Sequence, residues 1–447
     1  MALMQNVTVS ELKINMRIVE FTKFAKPYTN MEEKICKFVQ HNFRGSAAEI
    51  MRGGKKATCP VAKIIPGDSL LKVIKIPDTL RKLTTVSKGL PPELKKRGFL
   101  EFTVEPPPKK APTSKQEQHQ ENVNQANEFI QNMKKGVAAR DKATDAARDV
   151  LDNARKKPPS PEEVKENINA VMSESSPEAI SAIASLKSSD QTYAHCVDAA
   201  AIFQTAYHAI KQKKGENSLF ENPQMATFGA FMHDFGKAKV PKNVLESTVR
   251  FERESKEMHL LQSHPVFGAE LLEGMGMAKH IINMAHYHHV KMDPSLNSSY
   301  PQGVNYDDVL METRLVSIVD VYQALIGRRS YKKSWAPAAA IRYIDALAGA
   351  EFDPDVWDDF VSVMGIYPKG SLVELSDESM AFVMNVPDDD LESPQVAVFR
   401  DADGNDLERP ILIDLQEEDE LEIEQDLDHY EVLGEEAMEI FLRLEIS

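Results

Sequence analysis

Cysteine is scarce in this sequence, tryptophan is scarcer, and long apolar runs are missing. Only three cysteines (Cys36, Cys59, Cys196) and two tryptophans occur in 447 residues. An odd number of cysteines without metal-type spacing excludes a disulfide framework and suits a reducing compartment. No apolar stretch approaches the roughly 18 residues that a transmembrane helix needs, so no membrane association is expected. The opening "MALMQNVTVSELKINMRIVEF" lacks a basic segment followed by an apolar one, so no signal peptide is expected either. Together these absences point to a cytoplasmic protein. What remains is ordinary for a globular chain, with 42% hydrophobic and 27% charged residues. Its length exceeds one ordinary core, and two or three domains are expected.

The net charge of −16 conceals an asymmetry. Residues 1–110 carry 21 Lys and Arg against 10 Asp and Glu, whereas residues 371–447 carry 25 acidic and three basic residues. A basic excess of this size attracts nucleic acid in some proteins. Balanced by an acidic tail, it reads here as a solvated face, and nucleic acid is not expected as a partner.

The chain falls into four stretches of different character. Residues 1–105 carry short runs rich in β-branched and aromatic residues ("TVSEL", "MRIVEFT", "LLKVIKI", "FLEFTVE"), which predict a β-rich N-terminal domain with some helix. Residues 106–162 begin with the linker-like "PPPKKAPTS". They continue from about 118 to 156 as a polar, helix-prone stretch with a thin apolar stripe, suited to a connecting helix or to half of a homodimer seam. From 163 to 365, apolar residues recur at spacings of three and four, as in "VDAAAIFQTAYHAIKQ" and "RLVSIVDVYQALIG", and predict an all-α core. Residues 366–447 turn to short alternating runs ("SLVELS", "MAFVMNV", "QVAVF", "PILIDL") and an acidic, partly helical tail, a small β appendage. The expected fold is therefore a multidomain α+β protein with a helical core.

Nine of the twelve histidines fall between His195 and His289. The stretch "HDFGKAKVP" sets His233, Asp234 and Lys237 within five residues, directly after the apolar run "MATFGAFM". A buried core has little use for such a trio, whereas a metal ion beside a phosphate would use all three. His288 and His289 form a second adjacent pair, and His195 and His264 begin or lie in helices that can converge on the same centre. Asp320 is embedded in an apolar helix, where a carboxylate needs a cation or hydrogen-bonding partners. Imidazole and carboxylate together suit Fe, Mn and Zn. Taken singly, each of these residues has an ordinary structural explanation, and His208, His259, His280 and His286 are read that way. The joint order H…HD…H…HH…D on successive helices is what lifts the set.

In that order the chain resembles the HD-GYP proteins, the HD-superfamily group of cyclic di-GMP phosphodiesterases. The family pattern HDIGK…VP…IL is matched by "HDFGKAKVPKNVL", HP..G by "HPVFG", and HH by His288 and His289. The block R…vaDvyDAL…R.YK is matched by "TRLVSIVDVYQALIGRRSYKKSW", and FDP…F by "FDPDVWDDF". Weaker likenesses to the family's flanking segments occur at "VSELKINMRIVE" and "YPKGSLVELSD". The resemblance implies a site for two divalent metal ions, Fe or Mn in preference to Mg, made by His195, His233, Asp234, His264, His288, His289 and Asp320. Asp234 would bridge the ions and Lys237 would contact the scissile phosphate, these two being the catalytic residues. Tyr300, Arg314, Arg329 and Lys332 would bind the remainder of the substrate. Cyclic di-GMP would be opened to linear pGpG, or further to GMP, within second-messenger signalling, where signalling proteins would be partners.

The signature loop departs from the family pattern H-H-E-x-x-D-G-x-G-Y-P. This chain reads "HHVKMDPSLNSSYP", with Val290 in place of glutamate, Pro294 and Ser299 in place of glycines, and three inserted residues. Gln323 replaces an aspartate, and Gln191 stands where some members place a glutamate that binds a third metal. These departures motivate two other readings. One is a non-hydrolysing cyclic-dinucleotide receptor or protein-interaction module, and the other is a phosphohydrolase for a different nucleotide.

Overall fold

The computed structural model describes residues 5–8, 12, 17–24, 28–42, 46–74, 99–105, 115–154, 176–186, 193–214, 223–245, 247, 249, 251–293, 295–296, 298–327, 333–387, 390–418 and 420–446. The chain forms two compact units, one built mainly from residues 1–121 and one mainly from residues 122–447.

The first unit is an antiparallel sheet of β1 (Gln5–Thr8), β2 (Arg17–Phe24), β3 (Ala47–Arg52), β4 (Lys55–Pro60), β5 (Ser69–Ile74) and β6 (Phe99–Glu105), with α1 (Glu33–Asn42). The strand order is β1-β6-β2-β5-β3-β4. Ile18, Ala48, Ile50, Val73, Phe102 and Val104 form its core together with Val39 of α1. The β3–β4 hairpin was not legible in the strand pattern, because β4 ("KKATCP") is almost wholly exposed. It lies at the sheet edge, where lysines discourage further pairing. Gly53 and Gly54 close this hairpin with φ of 55° and 75°, the backbone that a two-residue turn of this hand requires.

The second unit begins with α2 (Lys115–Ala154) and α3 (Pro177–Leu186). The helical core follows with α4 (Tyr193–Lys214), α5 (Pro223–Met232) and the short α6 (Lys242–Leu245). It continues through α7 (Lys256–Gln262), α8 (His264–Gly274), α9 (Lys279–Tyr287), α10 (Met311–Ile326), α11 (Pro337–Asp345) and α12 (Pro354–Met364). Helix α4 is the hub, packed on α3, α5, α10 and α12. Its small residues Ala199, Ala200, Ala201 and Ala206 are buried, so neighbouring helices approach closely.

A five-stranded sheet of order β10-β9-β8-β7-β11 follows: β7 (Leu372–Leu375), β8 (Met380–Asn385), β9 (Gln395–Arg400), β10 (Asp406–Asp414) and β11 (Ile423–Leu427). The inner strands β8 and β9 are buried along nearly their whole length, which explains their almost unbroken apolar runs. The acidic tail is structural, since it supplies β11 and then α13 (His429–Leu433) and α14 (Ala437–Leu442). The apolar stripe of α2 (Val123, Ala126, Phe129, Ile130, Met133) is covered within the chain by Phe382, Phe399 and Phe441 and their neighbours. Among the described residues, no helix is long and apolar enough to cross a membrane.

One contact sets the relative positions of two site segments. The tight turn at residues 235–239, directly after Asp234, lies against the start of α8. At Gly236 a Cβ would stand 1.9 Å from the carbonyl oxygen of His264 and 2.4 Å from the Gly268 nitrogen, both backbone atoms that cannot swing aside. Gly268 is more forgiving, with its nearest neighbours at 3.3 and 3.4 Å. Gly236→Ala is therefore expected to destabilise the protein by about 1–3 kcal/mol in a denaturant titration, the usual range for overpacking. Gly268→Ala should cost distinctly less, and equal losses would contradict this account of the crossing.

Candidate metal centre

Five segments deliver the histidines and aspartates to one place. His195 occupies the first turn of α4. His233 and Asp234 follow directly on α5, where the chain leaves the helix for the 235–239 turn. His264 is the first residue of α8, His288 closes α9 with His289 next to it, and Asp320 lies within α10. Helix ends carry four of these side chains, so each is fixed by rigid structure while its tip reaches into the space between helices.

Asp234 lies at the middle. Its Oδ1 is 3.1 Å from His264 Nε2 and 3.7 Å from His288 Nε2. Its Oδ2 is 3.4 Å from His195 Nε2 and 3.6 Å from His233 Nε2. Asp320 joins the second side, with Oδ1 at 3.1 Å from His195 Nε2 and 3.9 Å from His233 Nε2, while its Oδ2 is 3.8 Å from His289 Nδ1. Two ligand-competent groups result: His264, His288 and His289 on one side, and His195, His233 and Asp234 on the other. All seven residues named for metal binding in the sequence come together.

The hydrogen bonds decide how the rings present themselves. Nδ1 of His233 lies 2.6 Å from the Ala230 carbonyl, Nδ1 of His264 2.6 Å from the Leu261 carbonyl, and Nδ1 of His288 3.0 Å from the Ala285 carbonyl. A carbonyl only accepts, so each Nδ1 donates its proton and each ring turns its Nε2 inward. Nε2 of His264 and His288 then face each other at 3.2 Å. Nε2 of His195 and His233 are buried without a hydrogen-bonding partner. Closely facing ring nitrogens and unpartnered buried nitrogens are what a cation would satisfy. The residues present thus fit a metal centre.

The two carboxylates call for positive charge at the same inward nitrogens, whether from a proton or from a cation. Burial works against the charged form of Asp234, but Lys237 foremost and then the surrounding histidines hold it well below the usual carboxylate range. Asp320 is likewise held well below that range, its histidine neighbours outweighing burial. Burial lowers His288 to about 4, and burial with the neighbouring His288 lowers His289 well below its usual value, so both rings stay neutral. His195 differs. Burial opposes its charging, yet Asp234 and Asp320 raise it to about 9.

Lys237 pairs with Asp234 Oδ2 and keeps 23% of its side chain exposed, at the edge of an otherwise buried cluster. The Tyr300 ring lies 4.5 Å from the His289 ring. Arg314 is committed to Asp353 at 2.8 Å, to the carbonyls of Val309 and Tyr306, and to the face of Tyr306. It thereby ties α10 to the start of α12. Arg329, Lys332, Gln191 and Pro294 lie outside the described residues.

The altered loop is anchored on both sides of the insertion. Val290 is buried, and Lys291 N–H donates to Ser299 Oγ at 3.1 Å. Tyr300 N–H donates to the His289 carbonyl at 3.3 Å, a bond that seats the Tyr300 ring beside His289. Lys291 also pairs with Glu351 at 2.8 Å and lies over the Phe352 ring. Ser299, standing where the family pattern has glycine, therefore closes the loop rather than disrupting it. Sequence reasoning flagged Gln323 only as a departure and passed over Asp198 and Arg140. In the structure Gln323 Oε1 is 2.5 Å from His195 Nδ1, Gln323 Nε2 donates to Asp198, and Asp198 is paired with Arg140. The available signal was Asp198, one helical turn after His195 in "HCVD".

A helical core that encloses seven converging histidine and aspartate side chains defines a helical domain with side chains that could hold a metal ion. Residues 189–356 match the HD domain family. A cyclic di-GMP phosphodiesterase of Pseudomonas aeruginosa is 31% identical over 225 residues, covering 50% of this chain and 51% of that protein. The cyclic di-GMP phosphodiesterase response regulator RpfG of Xanthomonas campestris pv. campestris is 33% identical over 136 residues, 30% of this chain and 35% of that one. The chain thus spans about half the length of the first of these relatives and about a third of the second. A solved structure of an HDG"Y"P protein from Bdellovibrio bacteriovorus aligns with a TM-score of 0.39 at 16% identity, covering 80% of this chain and 98% of that one.

The raised His195 yields a pH prediction. A metal ion and a proton compete for its Nε2, so the proton must leave when metal binds. Mn²⁺ affinity should rise by about tenfold per pH unit between neutrality and about pH 9 and then level off. Calorimetric titration of the metal-free protein in buffers of different ionisation heat should show one proton released at pH 7. Binding without proton release would contradict this assignment.

Proposed function

We propose that the chain is a metal-dependent phosphodiesterase that hydrolyses cyclic di-GMP to linear pGpG. The observation that carries this reading is Asp234, whose two carboxylate oxygens face two separate sets of imidazoles. The relatives named as cyclic di-GMP phosphodiesterases support the choice of substrate. Two ions of Fe or Mn fit the mixed nitrogen and oxygen donors better than Mg. His264, His288 and His289 would hold one ion and His195, His233 and Asp320 the other, with Asp234 shared. Such a pair, when bound, supplies Lewis acidity and an activated water for in-line displacement at phosphorus.

The chain's own residues do the rest. Lys237, beside Asp234 and partly open to solvent, places an ammonium where negative charge builds up on the phosphoryl oxygens. Tyr300, against His289, offers a ring face and a hydroxyl to the substrate at the edge of the centre. Its hydroxyl stays protonated, because burial and then Asp320 and Asp234 push its pKa up, so it acts as a hydrogen-bond donor. Buried walls keep bulk water from screening these charges. The proposal places the protein in the cytoplasm, within second-messenger signalling.

One observation favours a second substrate. The loop after His289 differs from the family pattern, and a 3'3'-cGAMP-specific phosphodiesterase of Vibrio cholerae is 28% identical over 192 residues, 40% of this chain and 34% of that protein. Purified Mn-loaded protein should therefore be assayed on both cyclic dinucleotides, beside Asp234→Asn protein. Linear pGpG from the native protein alone supports the proposal. Turnover of 3'3'-cGAMP only would transfer the activity to the second substrate, and no turnover of either by protein holding two metals would leave a receptor. Lys237→Ala should retain both metals and lose about 10²–10³-fold in kcat, the usual effect of removing one preorganised charge donor.

A further inference from the structure

Three of the inward-facing histidines have their Nδ1 protons held by carbonyls of the backbone just before them, which no side-chain substitution can remove. His195 is different, because its Nδ1 faces the side chain of Gln323 on α10 at 2.5 Å. An amide side chain can turn either its oxygen or its NH₂ toward a ring nitrogen, so Gln323 alone leaves the His195 tautomer undetermined.

The next residues determine it. Gln323 Nε2 is 3.3 Å from Asp198 Oδ2. The Asp198 carboxylate also accepts from Arg140 Nε at 2.7 Å and from Arg140 Nη2 at 2.8 Å. An ionised carboxylate only accepts, so the NH₂ end of Gln323 must face Asp198 and its oxygen must face His195. Nδ1 of His195 then keeps its proton for Gln323, and Nε2, which faces Asp234 and Asp320, is the nitrogen left to bind a cation. All three residues are almost fully buried, Arg140 and Gln323 at 2% exposure and Asp198 at 0%, so water does not stand in for any link. A buried Arg–Asp pair adds little stability over well-packed apolar residues, which leaves orientation as its evident use.

We propose that Arg140, Asp198 and Gln323 form a positioning relay that fixes the tautomer and orientation of His195 for metal binding. The inference rests on the metal centre proposed above. It places a determinant of that centre on α2, in the stretch that the sequence suggests as a connecting helix or half of a homodimer seam. It also gives Gln323 a task suited to an amide, which can accept from His195 and donate to Asp198 at once, as a carboxylate in its place cannot.

The test measures Mn²⁺ affinity by equilibrium dialysis, with thermal unfolding as a check on folding and turnover as a second readout. The native protein is measured first, and failure to bind Mn²⁺ would overturn the metal centre itself. Given native binding, Gln323→Leu should bind Mn²⁺ about 10–100-fold more weakly at one of the two sites, the range typical of lost outer-shell partners. The double variant Arg140→Met/Asp198→Leu keeps Gln323 but frees its amide to turn over, and should weaken the same site in the same direction. Folded Gln323→Leu protein with native affinity at both sites would overturn the relay while leaving the metal centre standing. Should Gln323→Leu not fold, the double variant decides alone, and its unchanged affinity would overturn the relay.

Discussion

The site depends on a single carboxylate placed among more imidazoles than it can neutralise. Asp234 touches His264 and His288 with one oxygen and His195 and His233 with the other. Burying a charge at 1% exposure costs several kcal/mol unless partners compensate. Lys237 and the histidines supply part of that compensation, but more ring nitrogens face the carboxylate than its two oxygens can engage. These nitrogens also face one another across short distances, as at His264 and His288. The arrangement makes physical sense when cations complete it.

The helical core exists in a form that serves this constraint. Helix ends, where side chains project along the axis into gaps, carry His195, His233, His264 and His288. Small residues allow the helices to come near enough, most sharply at Gly236 against the start of α8. Local carbonyls then fix three of the rings, and the Gln323–Asp198–Arg140 chain fixes the fourth. Position, approach and proton placement are separate devices, built from different residues, and all of them act on the same few nitrogen atoms.

Much of this could be read in the sequence. Spacings of three and four marked the helices of residues 193–364, and alternating runs marked β2, β5 and β6. The converging histidines and aspartates were legible because such side chains in apolar surroundings have few uses other than a shared site. The β3–β4 hairpin was hidden by the polar composition of an exposed edge strand. The acidic tail hid β11 because charged residues on its solvent face mask the pattern. Arg314 matched a motif position, yet pairs with Asp353, a partner 39 residues away that spacing alone cannot reveal. Arg140 was harder still. It stands 58 residues before Asp198, and only the packing of α2 on α4 brings the two charges together.

The most direct test of the central claim is a crystal structure of the Mn-loaded protein with anomalous difference maps recorded above and below the manganese edge. Two peaks, one on each side of the Asp234 carboxylate, with Nε2 of His264 and His288 at one and Nε2 of His195 and His233 at the other, are the predicted result. A single peak, or peaks away from Asp234, would contradict a shared carboxylate and the two-metal chemistry built on it.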